Sequence, residues 1–189
     1  MSQTRIVVLF GSLRSASFSK QVAEASVGTA PEGVDVSVYE GIGDIPFYNE
    51  DIDVPGSVPA AAEALRDAVG ASDGLLLITP EYNGTLPAVL KNAVDWLSRP
   101  YGAGAIKEKP VAILSGSISP NAAKWAHADA VKTVGVAGGK IVDEAHLHFA
   151  TWGERFGVNH PREDAETLRE LGEALRALVH AASGELVDA

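Results

Sequence analysis

Strand-like and helix-like stretches alternate along this sequence, and this alternation constrains the fold more than any other feature. Residues 6–10 and 75–78 are short, wholly apolar runs, which are typical of strands buried on both faces of a sheet. Residues 34–39 alternate polar and apolar side chains, which predicts a half-buried strand at a sheet edge. Two further strands are predicted at residues 110–114 and within residues 139–149.

A helix is predicted after each of these strands. The predicted helices cover residues 18–29, 58–70, 87–97, 121–134 and 162–182. Uninterrupted alternation of this kind predicts a parallel sheet with helices on both faces. At 189 residues we expect one domain over residues 1–189, an α/β flavodoxin-like doubly wound three-layer sandwich. Its five-stranded parallel sheet would have the order 2-1-3-4-5, with ligands bound near the loops after strands one, three and four.

Composition excludes several classes of function. The chain has no cysteine, which excludes disulfides, thiolate nucleophiles and cysteine-ligated metal centres. A net charge of −10 argues against a general nucleic-acid binder. No apolar run approaches the roughly 18 residues of a membrane span, and the first residues lack signal-peptide features. We therefore expect a cytoplasmic protein with no membrane or nucleic-acid partner.

The basic residues are unevenly distributed. Residues 1–20 hold three basic and no acidic residues, and residues 86–140 hold seven basic and three acidic ones. We expect both stretches to bring cations, Lys91, Arg99 and Lys124 among them, close to the carboxyl edge of the sheet. Such cations could serve an anionic ligand, although chance clustering is an equally simple explanation.

The loop after the first strand has the parts of a phosphate site. Residues 11–20 offer four serine hydroxyls, the Arg14 guanidinium and the start of a helix, whose free N–H groups favour anions. Neither the dinucleotide fingerprint nor the Walker A pattern is present. The alternative is a polar loop in which Ser17 or Ser19 caps the helix.

The loop after the third strand could hold a flat ring. Residues 80–85 include the turn-forming pair Asn83-Gly84, so backbone N–H groups and the Tyr82 ring would face the sheet's carboxyl edge. A planar heteroaromatic ligand needs such a surface and such donors. The alternative is an ordinary capped loop.

Three segments together carry a family resemblance. They are Phe10-Gly11-Ser12-Leu13-Arg14 with Ser17 and Phe18, Pro80-Glu81-Tyr82-Asn83-Gly84, and Leu90-Lys91-Asn92-Ala93-Val94-Asp95-Trp96-Leu97. In this combination and order the sequence resembles the NADPH-dependent FMN reductase family, which includes chromate- and quinone-reducing flavoproteins and some azo-dye reductases. The resemblance covers at least residues 4–120.

The resemblance implies FMN as a non-covalent cofactor, NADPH or NADH as electron donor, and a homodimer or homotetramer. It also implies three groups of cofactor-binding residues. These are Ser12, Arg14, Ser17, Phe18 and Ser19 at the phosphate end, Pro80, Glu81, Tyr82, Asn83 and Gly84 along the isoalloxazine ring, and Ser115, Gly116 and Ser117 after the fourth strand.

Two departures from the family pattern affect this site. The family commonly has Asn where this chain has Ser19, which shortens one phosphate contact. After the fourth strand it often has a Gly-Gly pair, where this chain has residues 119–123, Ser-Pro-Asn-Ala-Ala. Because Pro120 stiffens this loop and the alanines add Cβ atoms, we expect the third flavin loop to differ in shape from that of the family.

The implied function is transfer of two electrons from NAD(P)H, through bound FMN, to a small acceptor such as a quinone, chromate, an azo compound or free flavin. The cofactor carries the redox chemistry, so no side chain is predicted to be catalytic. The alternatives are a flavodoxin-like electron carrier, against which Arg14 argues, and a regulatory protein that has the fold without NAD(P)H activity.

Other residues with chemical potential have simpler interpretations. His146 and His148 would lie on one face of a strand, as a polar strand end or, with a third ligand, as a metal site. The acids around residues 50–53 are interpreted as a solvated loop. Asp95 and Trp96 are expected to pack and cap the third helix, or alternatively to form a subunit interface.

Overall fold

The computed structural model describes residues 3–184. Its parallel sheet has the order β2-β1-β3-β4, with two short strands, β5 and β6, both beside β4. The strands are β1 (Thr4–Phe10), β2 (Val34–Val38), β3 (Gly74–Thr79), β4 (Pro110–Gly116), β5 (Lys140–Ile141) and β6 (Leu147–Phe149). The predicted flavodoxin-like fold and strand order are confirmed, with β2 at an edge.

The predicted fifth strand is divided in two. β5 pairs with the beginning of β4 and β6 pairs with its end, and a 3-10 turn over Asp143–Ala145 separates them. In this turn the side chains of Asp143 and Glu144 are exposed to solvent, while Ala145 is buried. A continuous strand would hold these charged residues within the sheet, whereas the interruption leaves them hydrated.

Helices cover both faces of the sheet. They are α1 (Phe18–Val27), α2 (Ala60–Gly70), α3 (Ala88–Leu97), α4 (Lys124–Ala137), α5 (Trp152–Phe156) and α6 (Ala165–Ser183). Since successive strand residues point to opposite faces, Ile6 and Val8 join the core under α1 and α6. Val7 and Leu9 join the core under α2, α3 and α4. None of the helices within residues 3–184 is long and apolar enough to cross a membrane.

α4 begins three residues later than the sequence indicates. Ala122 and Ala123 have φ angles of 55° and 57°, in the left-handed region, and the helix starts only at Lys124. Left-handed backbone is unfavourable for residues with a Cβ atom. The two alanines therefore hold a turn of the kind that a Gly-Gly pair forms without strain.

Candidate functional site

A cavity of about 250 Å³ lies at the carboxyl edge of the sheet, where the loops after β1, β3 and β4 meet the start of α5. It is lined by Ser12, Arg14, Ser17, Phe18, Ser19, Pro80, Glu81, Tyr82, Gly116, Ser117, Ile118 and Trp152. All but Ile118 and Trp152 are among the residues proposed from the sequence to bind the cofactor. Whether they bind it stays a prediction, but the fold brings them together.

The loop after β1 builds one end of the cavity around the N-terminus of α1. Ser17 is the N-cap, and its hydroxyl accepts a hydrogen bond of 3.3 Å from the Lys20 amide. Gln21 N–H bonds to the Ser17 carbonyl. Since a helix does not satisfy its first four N–H groups, the amides of Phe18 and Ser19 are left for a ligand or water. Ser17 is thus the helix cap, and free N–H donors still surround it.

Ser12 and Arg14 have different surroundings in the same loop. The Arg14 side chain is exposed and lines the cavity, so its guanidinium can pair with an anion bound there. Ser12 is buried, and its hydroxyl lies 3.4 Å from the Tyr82 hydroxyl. This contact connects the loops after β1 and β3. One exposed cation, serine hydroxyls and helix amides make a donor set suited to phosphate.

The loop after β3 forms the turn that the sequence indicates. Tyr82 and Thr85 exchange backbone hydrogen bonds of 3.0 and 3.2 Å around Asn83 and Gly84, which both have positive φ angles. Tyr82 lines the cavity, while Asn83 and Gly84 lie at the tip of the turn, outside the cavity lining. The two tip residues therefore shape the loop, and in this structure they do not contribute to the cavity wall.

Glu81 has a structural partner that sequence reasoning missed. One of its carboxylate oxygens accepts hydrogen bonds of 3.1 Å from the backbone amides of Trp125 and Ala126, in the first turn of α4. No local residue caps this helix with its side chain. The carboxylate is thus neutralised in part by the positive end of α4, although Glu81 lines the cavity.

The loop after β4 approaches the cavity as bare backbone at Gly116. A Cβ atom on Gly116 would lie 2.0 Å from Trp152 Cε2, so only glycine fits between this strand end and the indole. Ser117 is tied to the same tryptophan, because its carbonyl accepts a 2.9 Å hydrogen bond from the Trp152 amide. Ser115 was also predicted to contact the cofactor. Its side chain is instead fully buried below the loop and does not line the cavity.

Ser115 belongs instead to a cluster with three histidines. Its hydroxyl donates to the Ala122 carbonyl at 2.9 Å and lies 2.8 Å from His148 Nδ1. His127, from the first turn of α4, lies with Nε2 3.1 Å from His146 Nδ1, and its ring centroid is 4.3 Å from that of His148. The sequence showed two of these imidazoles, but nothing in its pattern links residue 127 to residues 146–148.

Burial dominates the protonation of this histidine cluster. It lowers the pKa of His127 from 6.5 to about 4, with smaller contributions from the neighbouring His148 and His146. Burial also lowers the pKa values of His146 and His148. Within residues 3–184 no group of three or more ligating side chains is arranged to hold a metal ion. Burial thus favours the neutral form of these imidazoles behind the loop after β4, where His127 is buried and His148 reaches the surface.

Lys91 and Arg99, which were expected near the carboxyl edge of the sheet, do not line the cavity there. Lys91 and Arg99 line a different and larger cavity of about 540 Å³ between α3 and α4, together with Lys107 and Lys132. Lys91 pairs there with Asp95 at 2.6 Å. Lys91 lies in the first turn of α3 and Arg99 just beyond its C-terminal end, and both side chains line the cavity between α3 and α4 instead.

The acidic loop before α2 is also more ordered than a solvated loop. Asp53 makes a two-pronged ion pair with Arg66, with distances of 2.8 and 2.9 Å, and its side chain is only 11% exposed. The hydrogen bond from Arg66 lowers the pKa of the Asp53 carboxyl. Trp96, which is fully buried, anchors the same loop by donating its indole N–H to the Pro46 carbonyl at 2.8 Å.

Comparisons with known proteins agree with a cavity whose donors suit a phosphate-bearing cofactor. The model of the NADPH-dependent FMN reductase family matches residues 4–154. A 2-hydroxy-1,4-benzoquinone reductase of Burkholderia sp is 43% identical over 114 residues, which are 60% of this chain and 61% of that protein. A quinone reductase of Pseudomonas putida is 44% identical over 123 residues, 65% of this chain and 64% of that protein.

Structural similarity extends over more of the chain. FerB, a flavoenzyme NAD(P)H:(acceptor) oxidoreductase from Paracoccus denitrificans, superimposes with a TM-score of 0.82 at 29% identity, covering 95% of this chain and 97% of that one. The sequence matches to the two curated reductases, by contrast, span a little under two thirds of those proteins' length. The family model, which matches residues 4–154, contains the loops after β1, β3 and β4.

Proposed function

This chain belongs to the NADPH-dependent FMN reductase family, as its motifs predict, and we propose that it is an NAD(P)H-dependent reductase of the quinone reductase type. It would bind FMN and pass two electrons from NADPH or NADH to a small acceptor: a quinone, chromate, an azo compound or free flavin. The names of its relatives favour a quinone. The observation that carries the proposal is the convergence of three loops, predicted separately, on one cavity.

The cavity fits the two ends of FMN differently. At the α1 end, Arg14, the hydroxyls of Ser12 and Ser17 and the free first-turn amides would hold the phosphate. Toward the other loops, Pro80 and Tyr82 offer a flat apolar wall for the ring. Gly116 adds backbone without a side chain to the wall, packed against the Trp152 indole.

FMN supplies the two-electron redox chemistry when bound, and the chain's own residues supply position and electrostatics. The Glu81 carboxylate is already engaged by two amides of α4, so it opposes an anionic ligand less than a free carboxylate would. Arg14 then supplies the uncompensated charge of the site. No side chain is assigned an acid or base role.

We further propose that the chain forms one FMN-binding domain over residues 1–189. It would act in the cytoplasm as a homodimer or homotetramer, with neither a membrane nor a nucleic acid as partner. The support is the family resemblance together with the acidic composition, a net charge of −10. Analytical ultracentrifugation at several protein concentrations would determine the oligomeric state.

An anaerobic titration of the FMN-loaded protein with NADPH and with NADH tests the function directly. We expect the absorption band of the oxidised flavin to disappear after one equivalent and to return when menadione is added. A protein that binds no FMN would contradict the proposal. One that binds FMN and oxidises neither nucleotide in the presence of menadione would be an electron carrier or a regulatory protein instead.

Replacing Arg14 by Ala tests the phosphate site itself. Loss of a charged hydrogen bond should weaken FMN binding by about tenfold or somewhat more, as measured by quenching of flavin fluorescence. The matched control is Arg99→Ala, which removes an arginine from the cavity between α3 and α4. Equal FMN affinities for the two variants would remove Arg14 from the site.

A further inference from the structure

The cavity between α3 and α4 has no part in the proposed function. Its volume of about 540 Å³ is within the range of pockets that bind small ligands. Its walls come from α3, from residues 98–108 after this helix, and from the last turns of α4. Of the described residues, none lines both this cavity and the one at the carboxyl edge. The two cavities are therefore separate candidate sites.

Positive charge exceeds negative charge in the lining of this cavity. Four cationic side chains and two carboxylates line it, namely Lys91, Arg99, Lys107, Lys132, Asp95 and Glu108. Both carboxylates are already paired, Asp95 with Lys91 at 2.6 Å and Glu108 with Lys140 at 2.7 Å. Within residues 3–184 the other three cations form no ion pair. A chain with a net charge of −10 thus has a concave surface with cations that no carboxylate pairs.

Two of these three cations are held at the cavity by partners that carry no negative charge. The Arg99 guanidinium lies 5.7 Å from the centroid of the Tyr48 ring, and a cation is attracted to the face of such a ring. Lys107 Nζ donates a hydrogen bond of 2.6 Å to the Gly102 carbonyl. Both cations therefore stay able to attract an anion. Concave surfaces lined by charges of one sign concentrate ligands of the opposite sign.

Apolar side chains adjoin the cations in the same lining. Tyr101 and Val136 are 91% and 83% exposed, the first in the loop after α3 and the second on α4. Val94 and Ala137 add to the apolar lining. A small inorganic anion would leave the Tyr101 ring uncovered. A ligand that has both phosphate groups and a planar ring would pair with the cations and cover this ring as well.

We propose that the cavity between α3 and α4 is a second ligand site, which takes a nucleoside diphosphate or a ligand with the same combination of phosphates and planar base. Arg99, Lys107 and Lys132 bind the phosphates, and Tyr101 stacks on the base. These three cations come from the end of α3, the following loop and α4, so a chain of phosphates suits them better than a single carboxylate does. The inference does not depend on FMN, because the two cavities share no lining residue among those described.

Calorimetric titration of the FMN-loaded protein with ADP at low salt tests this site, with Lys132→Gln as the variant. Lys132 is exposed, so the change should leave the fold intact, and we expect ADP affinity to fall about tenfold. The matched control is Lys124→Gln, which removes an exposed lysine of the same helix outside both cavities and should bind ADP as the wild type does. Wild-type affinity should also fall as salt is added, because exposed charges are screened.

Pyrophosphate and adenosine separate the two parts of the ligand. Tyr101→Ala should weaken the binding of ADP and of adenosine severalfold and leave that of pyrophosphate unchanged. Lys132→Gln should weaken the binding of ADP and of pyrophosphate and leave that of adenosine unchanged. A measurement on the wild type avoids any effect of a variant on folding. ADP should shift the backbone ¹⁵N–¹H signals of residues 99–108 and 132–138 and leave those of residues 12–19 in place.

The outcomes distinguish this site from the cavity at the carboxyl edge and from a subunit interface. A wild type that binds no ADP, or a Lys132→Gln variant that binds it equally well, overturns the proposal. Signals that move at residues 12–19 and not at residues 99–108 overturn it too, and locate ADP at the carboxyl edge. If ADP does not bind and Val136→Glu converts oligomers into monomers, the cavity is an interface between copies of this chain. A chain that binds no FMN contradicts the proposed function alone, because the same titration can be made on the FMN-free chain.

Discussion

The loops that follow β1 and β4 flank the same cavity and are stabilised in different ways. The first ends at Ser17, which caps α1 with its own hydroxyl. The second ends at Ala122 and Ala123 in left-handed backbone, and α4 is capped by Glu81 from a loop more than 40 residues earlier. One wall of the cavity is thus encoded locally, and the other depends on contacts between distant parts of the chain.

This difference predicts which substitutions far from the cavity will affect its walls. Substitutions outside the loop after β1 should leave the start of α1 intact. The second loop should respond to changes in the loop after β3, through Glu81, and in the histidine cluster, through Ser115 and its bond to the Ala122 carbonyl. Four predictions, from the largest expected effect to the smallest, would break or sharpen this contrast.

Acid should destabilise the protein through the histidine cluster behind the second loop. The unfolded chain takes up a proton on His127 near pH 6.5, and the folded chain does so only near pH 4. Its contribution to stability is therefore complete above pH 6.5 and is lost as the pH falls toward 4, by an amount on the order of 3 kcal/mol. Urea unfolding between pH 7 and 4 measures this loss.

Replacing His127 by Gln should reduce that loss of stability in acid, because glutamine does not titrate, while His146 and His148 still contribute to it. The control is His180→Gln, which changes an exposed histidine on α6 and should keep the wild-type profile. If His127→Gln loses as much stability in acid as the wild type does, His127 is not the source of the loss.

Replacing Glu81 by Ala should destabilise the start of α4. The change removes an acceptor shared by two amides at the positive end of a helix, and we expect a loss of about 2 kcal/mol in the free energy of unfolding. Hydrogen exchange should accelerate at the amides of Trp125 and Ala126 and stay unchanged at the start of α1. Glu32→Ala, at an exposed loop position, controls for charge.

Replacing Ser17 by Ala should destabilise α1 by about 1 kcal/mol, the usual effect of losing an N-cap side chain. Ser15→Ala, in the same loop and exposed, should have no measurable effect on thermal unfolding. Faster exchange at the first turn of α4 in the Ser17 variant would contradict the independence of the two loops.

Replacing Ala122 by Gly should stabilise the protein slightly, by about 0.5 kcal/mol, because glycine takes left-handed backbone without steric conflict. The opposite sign is expected for Ala130→Gly, inside α4, where glycine lowers helix stability by about 1 kcal/mol. Destabilisation by both changes, in thermal unfolding, would show that the Ala122 Cβ contributes more through packing than it loses through strain.

Features with local causes were predictable from the sequence. The apolar runs indicated the central strands, and the turn pair Asn83-Gly84 indicated the loop after β3, because these signals arise within a few residues. The strand order followed from the alternation of strands and helices along the whole chain. Ser17 could be identified as a helix cap for the same reason. Most of the residues proposed for the site line one cavity because parallel strands end at a common edge.

What the sequence could not show depends on contacts between distant residues. Nothing in the residues around Glu81 indicates that it caps α4, and nothing around His127 indicates two histidine partners from beyond β5. Trp152 was missed because the five-residue helix that carries it lacks a periodic signal. The basic residues at positions 91 and 99 line the cavity between α3 and α4, because the position of a charge along the sequence does not reveal which cavity its side chain lines.

The divided strand at the outer side of β4 has a consequence for how molecules of this protein meet. An open strand edge is a template on which another chain can add a strand, and long flat edges promote aggregation. Here the edge consists of two and three residues on either side of a turn with exposed acids. An incoming strand finds no continuous ladder of backbone donors and acceptors there, so this edge of the sheet is protected against the addition of a strand from another chain.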